Sequence, residues 1–296
     1  MKKTILVLLF SVFVLSLCFS HPVAETKQNP IRLAVLQGPT GFSSAMLGDD
    51  FEISVYPSPN ESVARLVKGE LDMAVLPANA ALSLYNKGVD IVAVAVVGEG
   101  MLSLVGSNAD SVKLSVPGAG GTPDHMARLL YPSYEIDYSV AAPAQLAQLL
   151  IAGKTELAIL PQPFVTMTLN ANSSLKELSN VQQMWKSLTG SDNYPMSILV
   201  ASGSFARSNR KAVEKAAQDY SQSINQVNEN PHMAAQKIEE LGIMSASVAE
   251  AAIPYCALIY IDGNEAKKMC EKYFSILLEL DSQAIGEKAP DEGFWF

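Results

Sequence analysis

Apolar positions along this chain fall into short runs separated by stretches of helical period. Residues 31–36, 51–56, 71–76 and 91–97 read as strands. Between them, Ser58 or Asn60 caps a helix that sets Val63, Leu66 and Val67 on one face, and Gly69 ends it. A second helix opens at Pro77-Ala78-Asn79, packs through Ala80, Ala81, Leu84 and Tyr85, and stops at Gly88. The alternation resumes with a strand at 112–116. Thr122 then caps a helix that carries Pro123 in its first turn. A strand over 134–140, a helix over 142–152, a strand over 157–160 and a helix from Phe164 follow. Residues 196–201 read as one more strand. From Ser204 the period is helical only, with helices over 204–228, 232–241, 245–259 and 263–280. Such alternation predicts an α/β fold, a parallel sheet with helices on its faces.

The pattern also repeats in letters. Leu66-Val67-Lys68-Gly69-Glu70-Leu71-Asp72-Met73-Ala74-Val75-Leu76-Pro77 returns as Leu150-Ile151-Ala152-Gly153-Lys154-Thr155-Glu156-Leu157-Ala158-Ile159-Leu160-Pro161. Ile31-Arg32-Leu33-Ala34-Val35 returns as Val112-Lys113-Leu114-Ser115-Val116 at nearly the same offset. Two echoes in the same order predict two similar Rossmann-like lobes around a ligand cleft. The expected bounds are 30–108 plus 196–296 for the first lobe and 109–195 for the second, with the helical C-terminal region packed on the first lobe.

The N-terminus changes the setting. Lys2 and Lys3 precede an apolar run from Ile5 to Phe19, and the small Ser20 closes it. Residues 1–20 therefore read as a cleaved export signal, too short to span a membrane comfortably. Cys18 offers lipid anchoring as an alternative, although the preceding Leu17 is bulky for that processing. Cys256 and Cys270 are either an exported disulfide or two buried thiols. With no CxxC and no Cys/His cluster, neither a structural zinc nor another cofactor is expected. A formal charge of −9 speaks against a nucleic-acid partner. The expected product is an exported, periplasmic or cell-surface monomer.

Ligands of open α/β sheets gather beyond the carboxyl ends of the strands. That rule selects the turns at 38–41, 77–79, 98–100, 118–122 and 161–163. Within and beside them, the candidate ligand contacts are Thr40, Gly41, Phe42, Asn79, Glu99, Gly121, Thr122, Gln162 and Tyr194. Thr40 and Thr122 offer hydroxyls from corresponding turns. Asn79 and Gln162 follow the matched Pro77 and Pro161, so their amides are expected to face each other. Phe42 and Tyr194 would supply a stacking surface. Catalysis has little support. Only three histidines are present, Gly118–Gly121 lacks the G-x-G-x-x-G spacing, and neither G-x-S-x-G nor H-E-x-x-H occurs.

Gln37-Gly38-Pro39-Thr40-Gly41, the segment from Gly69 to Asn79, Leu84-Tyr85-Asn86-Lys87-Gly88, Pro117-Gly118, Thr122-Pro123-Asp124 and the segment from Ile285 to Asp291 carry a family resemblance. The chain resembles extracytoplasmic substrate-binding proteins of ABC importers, of the type II periplasmic-binding fold, in the nitrate/sulfonate/taurine and thiamine-precursor-like branch. The resemblance implies a two-lobe clamp that delivers a small polar organic molecule to a permease and its ATPase. The cleft turns lack the arginine expected of a sulfonate binder. Two alternatives remain open. One is an enzyme on the same fold, pyrimidine-synthesising or transferase-like, working through His125 or Asp124. The other is the binding subunit of a TRAP-type transporter or a sensor.

Overall fold

The computed structural model describes residues 29–107 and 111–296. The expected export signal, with Cys18, lies outside the described residues. The first lobe opens with β1 (Ile31–Leu36), α1 (Pro39–Ser43), β2 (Phe51–Tyr56), α2 (Pro59–Val67), β3 (Met73–Pro77), α3 (Ala78–Asn86) and β4 (Ile91–Glu99). The second holds β5 (Leu102–Gly106), β6 (Lys113–Ser115), α4 (Thr122–Leu130), β7 (Glu135–Asp137), α5 (Pro143–Ile151), β8 (Leu157–Pro161), α6 (Phe164–Ala171), β9 (Lys176–Asn180) and α7 (Val181–Thr189). The chain then returns through β10 (Pro195–Ser202), α8 (Gly203–Ser208), α9 (Arg210–Glu229), α10 (Pro231–Glu240), α11 (Ala246–Ala252), β11 (Ile261–Asp262) and α12 (Gly263–Leu280).

The sheets run β11-β4-β10-β3-β1-β2 and β7-β6-β8-β5-β9. In each, three parallel strands form the duplicated unit, β3-β1-β2 and β8-β6-β7. An antiparallel strand, β10 or β5, flanks it. The starts of β2, α2 and β3 are all displaced by 84 residues in the second copy, from 51 to 135, from 59 to 143 and from 73 to 157. The repeated glycines explain part of this. Gly69 and Gly153 follow the ends of α2 and α5 with φ of 73° and 67°, a left-handed turn that only glycine takes without strain.

The chain crosses between sheets at Gly100–Met101 and again between α7 and β10. Leu102–Gly106 thus pairs in the second sheet, ahead of the boundary expected after residue 108. Its run is too short to show a period of its own. β9 also escapes a periodicity reading, because Lys176-Glu177-Leu178-Ser179-Asn180 is polar, as an edge strand can be. At the first crossing only glycine fits. A Cβ on Gly100 would lie 2.6 Å from Cε1 of Tyr194 and 1.7 Å from Oε1 of Gln182.

The first-lobe sheet is buried on both faces, so β1 alternates between two core clusters: Leu33 and Val35 in one, Ala34 in the other. Cys256 belongs to the first of these clusters and Cys270 to the second, and both are free thiols. Burial pushes each thiol's pKa up. The C-terminal helices clothe this lobe and also reach the second: α11 packs on α6, and α12 on α4. Asn209 separates α8 from α9, and Pro254 halts the helix that began at Ala246. The final residues are docked. Phe294 is fully buried between Tyr85, Phe274 and Trp295, and the Phe296 N–H donates to the Ala93 carbonyl at 3.0 Å. No helix among the described residues is long and apolar enough to cross a membrane.

Candidate functional site between the lobes

Strand ends from both lobes converge where α3 and α4 begin. Pro77 ends β3 and leads directly into α3, which brings Asn79 to the lobe junction almost completely buried. Its Nδ2 donates to the Gly120 carbonyl of the second lobe at 3.1 Å, while its Oδ1 has no partner. Gly38 and Pro163 approach each other across the same junction: a Cβ on Gly38 would lie 3.4 Å from the Pro163 Cδ.

Thr122 is the first residue of α4 rather than its cap, which is Gly121. Its hydroxyl is therefore not spent on the helix. It is buried beside the Tyr273 phenol of α12, and apart from each other neither oxygen has a partner. Tyr194 is fully buried in the second crossing. It stacks on Tyr273 with ring centroids 6.1 Å apart and meets Trp185 of α7 at 5.2 Å. The Tyr194 hydroxyl and the Trp185 Nε1 also lack partners. Burial first, then the neighbouring Tyr273, Tyr131 and Glu99, pushes the Tyr194 phenol well up. Glu99 ends β4 beside this cluster. Burial raises its carboxyl pKa against one hydrogen bond from Asn193, and its Oε2 is unpartnered.

Other expected contacts are engaged elsewhere. The Thr40 hydroxyl accepts from the Leu36 N–H at 2.8 Å and donates to the Leu36 carbonyl at 3.1 Å. Gly41 makes room for Ile243, whose Cδ1 would stand 3.0 Å from a Cβ there. Phe42 is fully buried in the first-lobe core among Leu33, Val35 and Tyr220, so it offers no stacking face to the cleft. An aromatic residue one turn into α1 points to the sheet it covers. The Gln162 Oε1 accepts from the Thr166 N–H and hydroxyl in the first turn of α6, so its acceptor is engaged there. Gly121 sits half-buried at the start of α4.

Asp124 and His125 do not form a free acid–base pair. Asp124 accepts from the Gly120 N–H at 2.7 Å, the Tyr138 hydroxyl at 2.7 Å and Arg128 Nε at 3.1 Å. Burial and that carboxylate push the Tyr138 phenol up to about 12. Arg128 reaches on to Asp281, just past α12, at 2.8 Å. The guanidinium holds Asp281 below the usual carboxylate range. His125 is fully buried with Nε2 3.7 Å from Asp281, and burial keeps its pKa below the ordinary value. Trp185, Tyr273, Arg128 and Asp281 escape sequence reasoning because each sits on a helix face, or just past one, that reads as ordinary core or solvent.

Two α/β lobes, two crossings and a junction built from strand ends define the periplasmic-binding class of folds. Solved structures agree. An ABC transporter from Parabacteroides distasonis superposes with a TM-score of 0.78 at 27% identity, over 90% of this chain and 98% of that one. The periplasmic aliphatic sulphonate binding protein SsuA from Escherichia coli gives 0.67 at 12%, over 87% and 96%. The periplasmic nitrate-binding protein NrtA from Synechocystis gives 0.63 at 14%, over 90% and 87%. No curated protein matches the chain in sequence. The chain belongs to the menaquinone biosynthesis family, whose sequence profile matches residues 40–291.

Proposed function

We propose that this protein is an exported solute-binding protein that closes two lobes on a small polar ring compound and delivers it to an ABC permease. The observation that carries this reading is the set of unpartnered buried polar atoms at the junction: Asn79 Oδ1, Glu99 Oε2, Thr122 Oγ1, Trp185 Nε1, Tyr194 Oη and Tyr273 Oη. Buried polar groups ordinarily find partners, so such a concentration marks a place where a ligand supplies them. The flanking aromatic rings suit a flat molecule. The solved ABC relatives support the same role, and with it export to the periplasm. A bound ligand stabilises only the folded clamp, so a thermal-shift screen of ring compounds tests the reading. A screen without hits, repeated calorimetrically, would sink it.

The family name favours a second reading, an enzyme of quinone biosynthesis on this fold. Of the two residues this reading would use, Asp124 is held by three donors, which leaves His125 as the proton carrier to test. Turnover of any hit, followed by mass spectrometry and lost in His125→Ala by about two orders of magnitude, would establish catalysis. A binder changes only in affinity.

A further inference from the structure

Among the unpartnered groups at the junction, acceptors outnumber donors. Asn79 Oδ1, Gln182 Oε1 and Glu99 Oε2 only accept as the residues stand. The two amide orientations are fixed by their nitrogens: Asn79 Nδ2 donates to the Gly120 carbonyl and Gln182 Nε2 to the Asp192 carbonyl. The hydroxyls of Thr122, Tyr194 and Tyr273 serve either way. Trp185 Nε1 and one ring nitrogen of the neutral His125 are the obligatory donors, the other His125 nitrogen being a further acceptor.

Charge points the same way. Among the described residues Glu99 stands beside Tyr194 without a basic partner, and its side chain accepts from neutral Asn193. The nearby Arg128 is shared between two carboxylates, Asp124 and Asp281. His125 is buried and kept neutral. Two carboxylates thus share the one guanidinium, and Glu99 has none. The rings of Trp185, Tyr194 and Tyr273 add their electron-rich faces. An anion brought here meets acceptors, negative charge and π faces.

We propose that the cleft selects a ring compound bearing a positive charge on or beside the ring, such as a protonated nitrogen heterocycle or an aryl amidine, with Glu99 as counter-charge and Trp185, Tyr194 and Tyr273 as its aromatic wall. The proposal rests on the binding reading and names its ligand class. Both lobes contribute, Glu99 and Asn79 from one and Thr122 from the other, so the cation would also draw the lobes together.

The test uses four probes of similar size: benzamidine, 4-aminopyridine, benzyl alcohol and benzoate. Thermal shift and titration calorimetry are run on the full exported chain, on Glu99→Gln and on Trp185→Phe, with circular dichroism confirming each fold. The expected result is binding of the two cations, weaker binding of the alcohol and none of benzoate. Glu99→Gln should then lose about tenfold or more in cation affinity while keeping its affinity for the alcohol. Trp185→Phe should weaken the cations by a smaller factor, which gives a second readout if Glu99→Gln does not fold. Benzoate binding as tightly as benzamidine, or unchanged cation affinity in the folded variants, overturns the charge assignment and leaves the binding reading standing. If no probe of any charge binds, both fall together.

Discussion

Asn79 of the first lobe donates to the carbonyl of Gly120 in the second, across 3.1 Å. This bond ties the start of α3 to the glycine turn that opens α4, and it leaves Asn79 Oδ1 free. Replacing Asn79 with Ala removes a cross-lobe bond and a free acceptor together. Ligand affinity should fall by about 1–3 kcal/mol, with a stability loss of about 1 kcal/mol. Gln162→Ala should behave differently, because its Oε1 is engaged in the first turn of α6. It should cost about 1 kcal/mol of stability and little affinity. Calorimetry with a true ligand, paired with melting curves, separates the two; equal affinity losses would mean that Gln162 does touch ligand.

Arg128 and Asp281 form a second link between the lobes, and acid should undo it. Asp281 has its folded pKa below the ordinary value, so its contribution is complete above about pH 4. The contribution is lost as pH falls through the lowered value. Asp281→Asn should therefore cost about 1 kcal/mol near neutrality and converge on wild type in strong acid. Arg128→Met should cost more, about 3 kcal/mol, because it also strips the cation from the almost buried Asp124. Urea unfolding of the three proteins at pH 7 and pH 3 checks both the order and the convergence. Small-angle scattering of Arg128→Met should show a larger radius of gyration if the pair holds the lobes together.

The fold was legible because its repeat is written in apolar and glycine positions. Gly69 and Gly153 mark the same left-handed turn, and Pro77 and Pro161 end the same strand. Such positions are set by the local backbone. Of the expected contacts, Asn79, Glu99, Thr122 and Tyr194 lie at the lobe junction, because each sits at or beside a strand end that the repeat marks. Phe42 misled because a turn residue at a strand end is not necessarily cleft-facing; the five-residue α1 rolls it onto the sheet. Trp185 and Tyr273 stayed hidden for the opposite reason. Each sits on a buried helix face, and nothing in a helical period tells a core aromatic from one at a junction.

His125 should make stability pH-dependent on the acid side of neutrality. Its imidazole is buried, both ring nitrogens lack hydrogen bonds, and burial lowers its folded pKa. In the unfolded chain it titrates near 6.5. Below that pH the unfolded state takes up the proton first, so stability falls with pH until the folded value is passed. Above about 6.5 the contribution is complete. His125→Leu should flatten this slope and gain on wild type as pH drops from 7.5 to 5. Unfolding free energies measured across that range test it, and an unchanged slope in the variant would assign the dependence to other groups.

Gly100 is where the chain leaves the first sheet, and its lack of a side chain is what lets Tyr194 and Gln182 close over it. An added Cβ would stand 2.6 Å from the Tyr194 ring and 1.7 Å from Gln182 Oε1. The Gln182 end can swing aside, but Tyr194 is pinned between Trp185 and Tyr273, and the Gly100 N–H already donates to the Tyr194 carbonyl. Gly100→Ala should therefore push the ring cluster off its packing at a cost of about 1–3 kcal/mol. The near-ultraviolet dichroism of Trp185 and Tyr194 should change, while the far-ultraviolet spectrum keeps its α/β shape. Because the same rings wall the proposed cleft, ligand affinity should fall with stability. A Gly100→Ala protein with wild-type melting temperature and unaltered aromatic dichroism would show that the crossing has slack, and that the ring cluster is not held by the backbone passing beneath it.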